Sequence, residues 1–257
     1  MQDLILPIYL VLISISFIVL NYGGSMSTSW ISVDSANGGD FKAYVSLPPS
    51  GFGPGLLVIQ EIFGVNHHIK AVCDQYSNDG FVAVAPDIFW RQKPLTDLSY
   101  DDESIKKGMS LANSLNIHLA ASDLQRTVEA IRHIPSCNGK VGTVGFCLGG
   151  LLAFVSAARA GVDSAVSYYG GGIDKHFNLI PDITCPILFH FAENDEYIDL
   201  ETVKKIKKAF NKKKHTRMIV HENAKHGFNC WNRSSWNQAI ATTARGQSLV
   251  HLMESLR

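Results

Sequence analysis

Residues 144–150 read VGFCLGG, which places Cys147 two positions after Gly145 and two positions before Gly149. A strand-like apolar run precedes this segment, and a helix-like run follows it. A nucleophile on a tight strand-to-helix turn needs small residues at these two positions, because neighbouring backbone crowds the bend. The amino end of the helix also presents N–H groups that favour a thiolate and can receive an oxyanion. The pattern therefore predicts a cysteine nucleophile.

The alternative for Cys147 is an ordinary buried cysteine, so the prediction depends on a base and an acid elsewhere in the chain. In this kind of architecture both follow the nucleophile, from loops at strand ends, with the acid before the histidine. Asp195 follows a predicted strand at 187–191, and His226 follows a predicted strand at 216–221. Their order and placement fit the acid and the base.

Other acids and histidines in these loops favour other roles. Glu193 is an alternative orienting acid, but it lies nearer the strand end, and Asp199 is placed to cap the following helix. His221 lies in or at the end of a strand, and His215 lies in a lysine-rich turn. We therefore expect both histidines to be structural or surface residues.

The metal alternative is a zinc site built from His221, His226 and Cys230. Their spacing matches no common ligand pattern. The sequence thus predicts neither a metal ion nor a cofactor.

The elements that must position these residues alternate along the chain. Strands are expected at 29–34, 41–47, 56–60, 81–85, 140–145, 165–168, 187–191 and 216–221, and helices at 66–79, 102–116, 117–134, 148–160, 200–210 and from about 234. The first two strands read as an antiparallel hairpin. The later alternation predicts an α/β fold, with a mostly parallel central sheet and helices on both faces in three layers.

Composition limits the classes of function. The 257 residues are 46% hydrophobic, and the 23 basic side chains balance 23 acidic ones. The lysine-rich run at 204–214 is typical of a solvent-exposed helix face and the turn that follows the helix. With no net charge and no recognisable binding motif, nucleic acid is not an expected partner. We expect a single domain over residues 26–257, acting as a monomer on a small molecule.

Residues 1–25 contain an uncharged apolar run at 4–20. It could be a signal peptide, a membrane anchor or an extension upstream of a natural start at Met26. A start at Met26 implies a cytoplasmic protein, whereas a retained segment implies an anchor and a cut near Ser25 implies export. The five cysteines, an odd number at irregular spacing, favour a reducing compartment.

Several blocks in one order resemble the dienelactone hydrolase family from about residue 29 to the end of the chain. They are QEIFGVN (60–66), APDIFWRQ (85–92), NGKVGTVGFCLGG (138–150), YYGGG (168–172), LFHFAENDEYI (188–198) and HGF (226–228). This resemblance implies the α/β-hydrolase fold and a carboxymethylenebutenolidase-like activity, which opens dienelactone to maleylacetate. It also implies a triad of Cys147, His226 and Asp195.

The resemblance gives further residues a role. It implies that Glu61 contacts the resting nucleophile and helps to generate the thiolate when substrate arrives. It also implies an oxyanion hole from the backbone N–H groups of Ile62 and Leu148. Without the family, Glu61 would be a polar residue at a strand end.

The substrate site departs from the family pattern. Family members that open dienelactone hold its carboxylate with two arginines, which correspond here to about Lys106 and Cys230. Lysine keeps the charge without the bidentate fork, and cysteine loses both. Arg91 or Arg233 could compensate, or either could be a surface residue. Trp231 is a candidate for apolar lining of the site.

The leading hypothesis is therefore a cofactor-free cysteine hydrolase that opens a small lactone or ester through a thioester acyl-enzyme. The alternative is a broader carboxylesterase or lactonase that is not specific for dienelactone. A non-catalytic binding protein on the same fold and a redox thiol protein are the rivals from other classes.

Overall fold

The computed structural model describes residues 26–257. Its strands are β1 (Ser27–Asp34), β2 (Asp40–Leu47), β3 (Gly53–Ile59), β4 (Val82–Pro86), β5 (Cys137–Phe146), β6 (Ser164–Tyr168), β7 (Ile187–Ala192) and β8 (Thr216–His221). Its helices are α1 (His67–Asn78), α2 (Asp102–Asn113), α3 (Ile117–Arg132), α4 (Leu148–Arg159), α5 (Leu200–Ala209) and α6 (Gln238–Leu256), with a 3₁₀ segment at Ile173–Asp182. The apolar run at 4–20 lies outside the described residues.

The eight strands form one sheet in the order β1-β2-β4-β3-β5-β6-β7-β8. The β1–β2 pair and the β2–β4 pair are antiparallel, whereas the pairs from β4 to β8 are parallel. The predicted hairpin and the predicted mostly parallel sheet are both confirmed. Strand β5, which leads to Cys147, lies in the interior of the sheet between β3 and β6.

Both faces of the sheet are covered, which explains the continuous apolar run of β3. Leu56 and Val58 pack with residues of α1 and α6, whereas Leu57 and Ile59 pack on the other face with residues of α3. All four side chains are buried. Each contributes about 1.5–3 kcal/mol relative to an exposed position, so the strand is stable only inside this three-layer arrangement.

Two helix boundaries differ from the sequence prediction. Helix α6 begins at Gln238 rather than near residue 234, because the side chain of Asn237 caps it by accepting from the N–H of Ile240. Helix α2 ends at Asn113, and Asn116 then caps α3. The caps, not the apolar periodicity, set these boundaries. No helix within residues 26–257 is long and apolar enough to cross a membrane.

Candidate active site

Cys147 occupies the single residue between the end of β5 and the start of α4. Its φ of 56° and ψ of −114° lie in a region that non-glycine residues rarely adopt. Its N–H donates to the carbonyl of Tyr168, and its carbonyl accepts from Gly150 and Leu151. A backbone strained by about 1–3 kcal/mol persists only when surrounding contacts hold it, so the fold fixes this thiol at the turn.

The glycines beside Cys147 leave no room for a side chain. A Cβ on Gly145 would lie 1.9 Å from the carbonyl oxygen of Gly149, and a Cβ on Gly149 would lie 2.3 Å from that of Ile59. Both neighbours are backbone atoms and cannot rotate away. The requirement for small residues on either side of the turn is therefore confirmed.

His226 and Asp195 are held together beside this turn. Nδ1 of His226 donates to Oδ2 of Asp195 at 2.9 Å, and Oδ1 lies at 3.1 Å. Asp195 Oδ1 also accepts from the backbone N–H groups of Tyr197 and Ile198. The side chains of His226 and Asp195 are only 3% and 1% exposed. This arrangement fixes the imidazole orientation and leaves Nε2 available for the reacting groups.

The free nitrogen of His226 lies beside Cys147. Nε2 is buried and has no hydrogen-bond partner among the described residues. Burial alone would lower the pKa of His226, but the negative charge of Cys147 and the bond to Asp195 outweigh it and raise the pKa to about 10. His226 therefore holds its proton more tightly than a free histidine does. The rings of Tyr169 and Tyr197 restrict the imidazole further, since their centroids lie 5.0 and 4.8 Å from the centroid of the His226 ring.

The competing acids have structural roles. Glu193 Oε2 accepts from the backbone N–H of Asn223, which ties together two loops. Asp199 caps α5 by accepting from the N–H of Thr202. Asp195 is thus the acid that the structure brings to His226.

Glu61 follows β3 and is 1% exposed at its side chain. Its Oε1 accepts from Arg233 at 3.2 Å, and its Oε2 accepts from the hydroxyl of Tyr100 at 3.3 Å. Burial raises the pKa of Glu61, while the charges of Arg233 and His226 lower it. Among the described residues, the carboxylate of Glu61 accepts its hydrogen bonds from Tyr100 and Arg233. The implied contact with Cys147 is not one of them.

A cavity of ≈ 190 Å³ opens over Cys147. It is lined by Ile62, Phe63, Ile105, Met109, Cys147, Leu148, Gly171, Tyr197, His226 and Arg233. Arg233 is the only lysine or arginine among these residues, and its side chain is 17% exposed. The cavity therefore combines an apolar wall with one cation and the side chains of Cys147 and His226.

The two residues named for the oxyanion hole, Ile62 and Leu148, both line this cavity. Leu148 is the first residue of α4, so its N–H has no acceptor within the helix. Ile62 lies in the turn after Glu61.

Lys106 does not reach the cavity. It is exposed on α2, and the same helix presents Ile105 and Met109 to the cavity instead. Because side chains one position apart on a helix point about 100° apart, the charge predicted near the substrate faces solvent. Lys106 is therefore placed as a surface residue, which corrects the sequence prediction.

Arg91 and Trp231 also lie away from the cavity lining. Arg91 forms an ion pair with the buried carboxylate of Asp123 and stacks over Trp90. This pair holds Arg91 outside the cavity, so Arg91 is not placed to contact a substrate bound there. Trp231 packs edge-on against His68, with ring centroids 4.2 Å apart. Arg91 and Trp231 therefore have structural contacts in place of the predicted contacts with a substrate.

Sequence reasoning gave Tyr100 and His68 no role. Tyr100 lies just before α2, and His68 lies in the first turn of α1, both far along the chain from Cys147. No local spacing signal marks either residue. Only the carboxylate of Glu61, which the family resemblance singled out, connects them to the site.

A strained turn at Cys147 after an interior parallel strand, followed by Asp195 and His226 at later strand ends, is typical of an enzyme of the α/β-hydrolase fold. The profile of the dienelactone hydrolase family matches residues 41–255. The chain belongs to this family.

Individual relatives agree with this assignment. Carboxymethylenebutenolidase from Pseudomonas putida is 34% identical over 228 residues, which cover 88% of this chain and 97% of the relative. Carboxymethylenebutenolidase 1 from Cupriavidus pinatubonensis is 32% identical over 225 residues, covering 87% and 96%.

Solved structures share the fold. A dienelactone hydrolase from Anabaena variabilis aligns with a TM-score of 0.67 at 20% identity, over 90% of this chain and 99% of its own. A dienelactone hydrolase-like promiscuous phosphotriesterase from metagenomic libraries aligns with a TM-score of 0.75 at 21% identity, over 91% and 100%.

Proposed function

We propose that this hydrolase opens a small lactone or ester through a thioester on Cys147. One observation carries the proposal: His226, oriented by Asp195, lines the same cavity as the Cys147 thiol on its strained turn, and its Nε2 has no hydrogen-bond partner among the described residues. The family relationship supports lactone or ester hydrolysis, and the geometry supports the choice of nucleophile.

In the first half of the reaction, the Cys147 thiolate attacks the carbonyl carbon of the substrate. The N–H groups of Ile62 and Leu148 stabilise the oxyanion. When the intermediate collapses, the C–O bond of the ester breaks and His226 donates its Nε2 proton to the leaving oxygen. In a lactone this alcohol remains attached to the acyl group.

In the second half, neutral His226 takes a proton from water as the water attacks the thioester. The new C–O bond forms, the C–S bond breaks, and the thiolate is regenerated beside an imidazolium. Asp195 holds Nδ1 protonated throughout, so Nε2 is the nitrogen that exchanges protons. The cycle consumes one water and requires no cofactor.

The substrate that the cavity fits best is a small molecule with a carboxylate. Arg233 is the cation that lines the cavity, and it replaces the two family arginines that correspond to Lys106 and Cys230. Both relatives described above are named carboxymethylenebutenolidase. Dienelactone is therefore the proposed substrate. The apolar side chains of Ile105 and Met109 support the second candidate, a neutral ester or lactone.

Hydrolysis rates for dienelactone and for a neutral ester of similar size test the proposal. We expect Cys147→Ala to abolish both activities. We expect Arg233→Met to raise KM for dienelactone by about 10–100-fold while sparing the neutral ester, because it removes a charge-assisted contact. Lys106→Met is the matched control and should change neither rate.

The outcomes separate the alternatives. Equal effects of Arg233→Met on both substrates would move the protein to the broader carboxylesterase class. Turnover that survives Cys147→Ala would refute the thioester mechanism. A chain that binds both compounds without hydrolysing either would be a non-catalytic binding protein.

We also infer that the folded part works in a reducing compartment. The five cysteines, all within the described residues, are free thiols in the structure. A thiolate nucleophile also requires a reduced sulfur. Alkylation of the native protein before unfolding, followed by mass spectrometry, should label Cys147, and recovery of Cys147 as a mixed disulfide would contradict this inference.

A further inference from the structure

A cluster of three buried donor groups lies next to the reacting groups. Glu61 comes from the loop after β3, His68 from the first turn of α1, and Cys230 from the loop before α6. All three residues are buried. A carboxylate oxygen, a ring nitrogen and the sulfur lie within 4.8 Å of one another. We call these residues the Glu61/His68/Cys230 cluster; the proposed hydrolytic mechanism uses neither His68 nor Cys230.

His68 is the member that the protein leaves unsatisfied. Both of its ring nitrogens are buried, and neither has a hydrogen-bond partner among the described residues. Such a group is rare, since buried polar atoms in proteins are nearly always paired. A neutral imidazole at this position has a nitrogen lone pair that can bind a metal ion.

The three donor types match one class of ligand. A thiolate, an imidazole and a carboxylate are the ligands that Zn²⁺ takes in proteins, and three of them leave a fourth position open for water. Zinc–ligand bonds of about 2.0–2.3 Å put tetrahedral ligand atoms roughly 3.3–3.7 Å apart. Since the donor atoms lie within 4.8 Å of one another, they need to approach by about an ångström for this geometry.

We propose that the Glu61/His68/Cys230 cluster binds a thiophilic divalent cation, with Zn²⁺ as the best match. On binding, a sulfur–metal bond replaces the S–H bond of Cys230, and the thiol proton leaves to solvent. The thiolate and the carboxylate then balance the charge of the ion, and His68 gains a partner that no described residue supplies.

The site is coupled to the cavity through Glu61. Arg233 donates to Oε1 of Glu61 and also lines the cavity that contains Cys147. The ion and the guanidinium therefore compete for one carboxylate, and like-charge repulsion favours movement of Arg233 when the ion binds. Metal occupancy and the proposed substrate cation consequently depend on each other.

Metal binding by the chelator-treated full chain tests the proposal. After equilibrium dialysis against Zn²⁺, we expect one ion retained per chain, and loss of this ion in both Cys230→Ser and His68→Gln. Cys185→Ser is the matched control, because Cys185 packs near Ala157 away from the cluster. Circular dichroism would show that each variant is folded.

The pair of Cys147 and His226 is the competing site for a soft metal, so Cys147→Ala is part of the design. Retention of the ion in Cys147→Ala supports the cluster. Loss in Cys147→Ala with retention in Cys230→Ser and His68→Gln would overturn the proposal, as would failure of the parent chain to retain any zinc. Ester hydrolysis measured on the metal-free chain is a separate readout, so failure of one proposal leaves the other standing.

A second readout covers the case in which Cys230→Ser does not fold. Co²⁺ added to the parent chain should give a sulfur-to-metal charge-transfer band and the strong visible absorption of tetrahedral cobalt. His68→Gln keeps the thiol and should lose the tetrahedral visible bands. An unchanged spectrum in His68→Gln would refute the assignment of His68 as a ligand.

Discussion

The two sides of Cys147 are built in different ways. On the Asp195 side, backbone N–H groups hold the carboxylate and the carboxylate holds His226. On the Glu61 side, the contacts run between side chains of distant segments, from Arg233 and from Tyr100. Backbone contacts survive most substitutions, whereas side-chain contacts vanish with one partner. The difference indicates that the groups on the Asp195 side are held rigidly, whereas the groups on the Glu61 side form a more adaptable surface.

The largest effect on kcat/KM should come from substitutions at Cys147 and on the Asp195 side. We expect Cys147→Ala and His226→Gln each to lower kcat/KM for the best substrate by about 10⁴-fold, because each removes one member of a unit that acts together. The double variant should be hardly worse than either single one. Steady-state kinetics with Cys185→Ser as control measures this, and additive losses in the double variant would contradict a shared mechanism.

The next effect tests the crowding at the turn. Gly149→Ala should lower the free energy of unfolding by about 3 kcal/mol or more, since the new Cβ meets the carbonyl oxygen of Ile59. Gly246→Ala is the matched control on α6, where a Cβ meets nothing within 4 Å. It should stabilise the chain by about 0.5–1 kcal/mol. Urea unfolding gives both values, and a neutral Gly149→Ala would disprove the close approach.

The raised pKa of His226 predicts a dependence of stability on pH. The unfolded histidine releases its proton near pH 6.5, whereas the folded one holds it until the pH approaches about 10. The stabilisation from this group is therefore complete below pH 6.5 and is lost as the pH rises towards 10. The stability difference between the parent and His226→Gln should shrink over this window in urea unfolding. A difference that stays constant from pH 6.5 to 10 would rule out the raised pKa.

The smallest effect belongs to the Glu61 side. Tyr100→Phe removes a hydroxyl that donates to Glu61 and accepts from the side-chain amide of Asn66. We expect a loss of about 1–2 kcal/mol in the free energy of unfolding. Tyr197→Phe, at a position 63% exposed, should cost less. Equal losses in the two variants would mean that the Glu61 side is not held by the Tyr100 hydroxyl.

Much of the Asp195 side could be predicted from the sequence because its signals are local. The glycines around Cys147, the strand before it and the helix after it lie within a few residues, and they specify one sharp turn. Asp195 and His226 also follow their strands directly, and parallel strands bring their carboxyl ends to one edge of a sheet.

The substrate side could not be predicted in the same way. Whether Lys106 faces solvent depends on a rotation of α2 by one residue, and whether Arg91 is free depends on Asp123 in α3. Whether Arg233 reaches Glu61 depends on the path of the loop before α6. The sequence prediction started this helix too early, near residue 234 rather than at Gln238. Each outcome needs the relative position of two segments.

The sequence by itself therefore determined the alternating architecture, the sharp turn at Cys147 and the placement of Asp195 and His226 at later strand ends, since each rests on neighbouring residues and on strand order. Only the tertiary structure decided which cation lines the cavity, what holds Glu61, and that Cys230 meets His68. These pairs join residues far apart in the chain, and no local propensity encodes such contacts. They form only when the packed sheet and helices fix the loops that carry them.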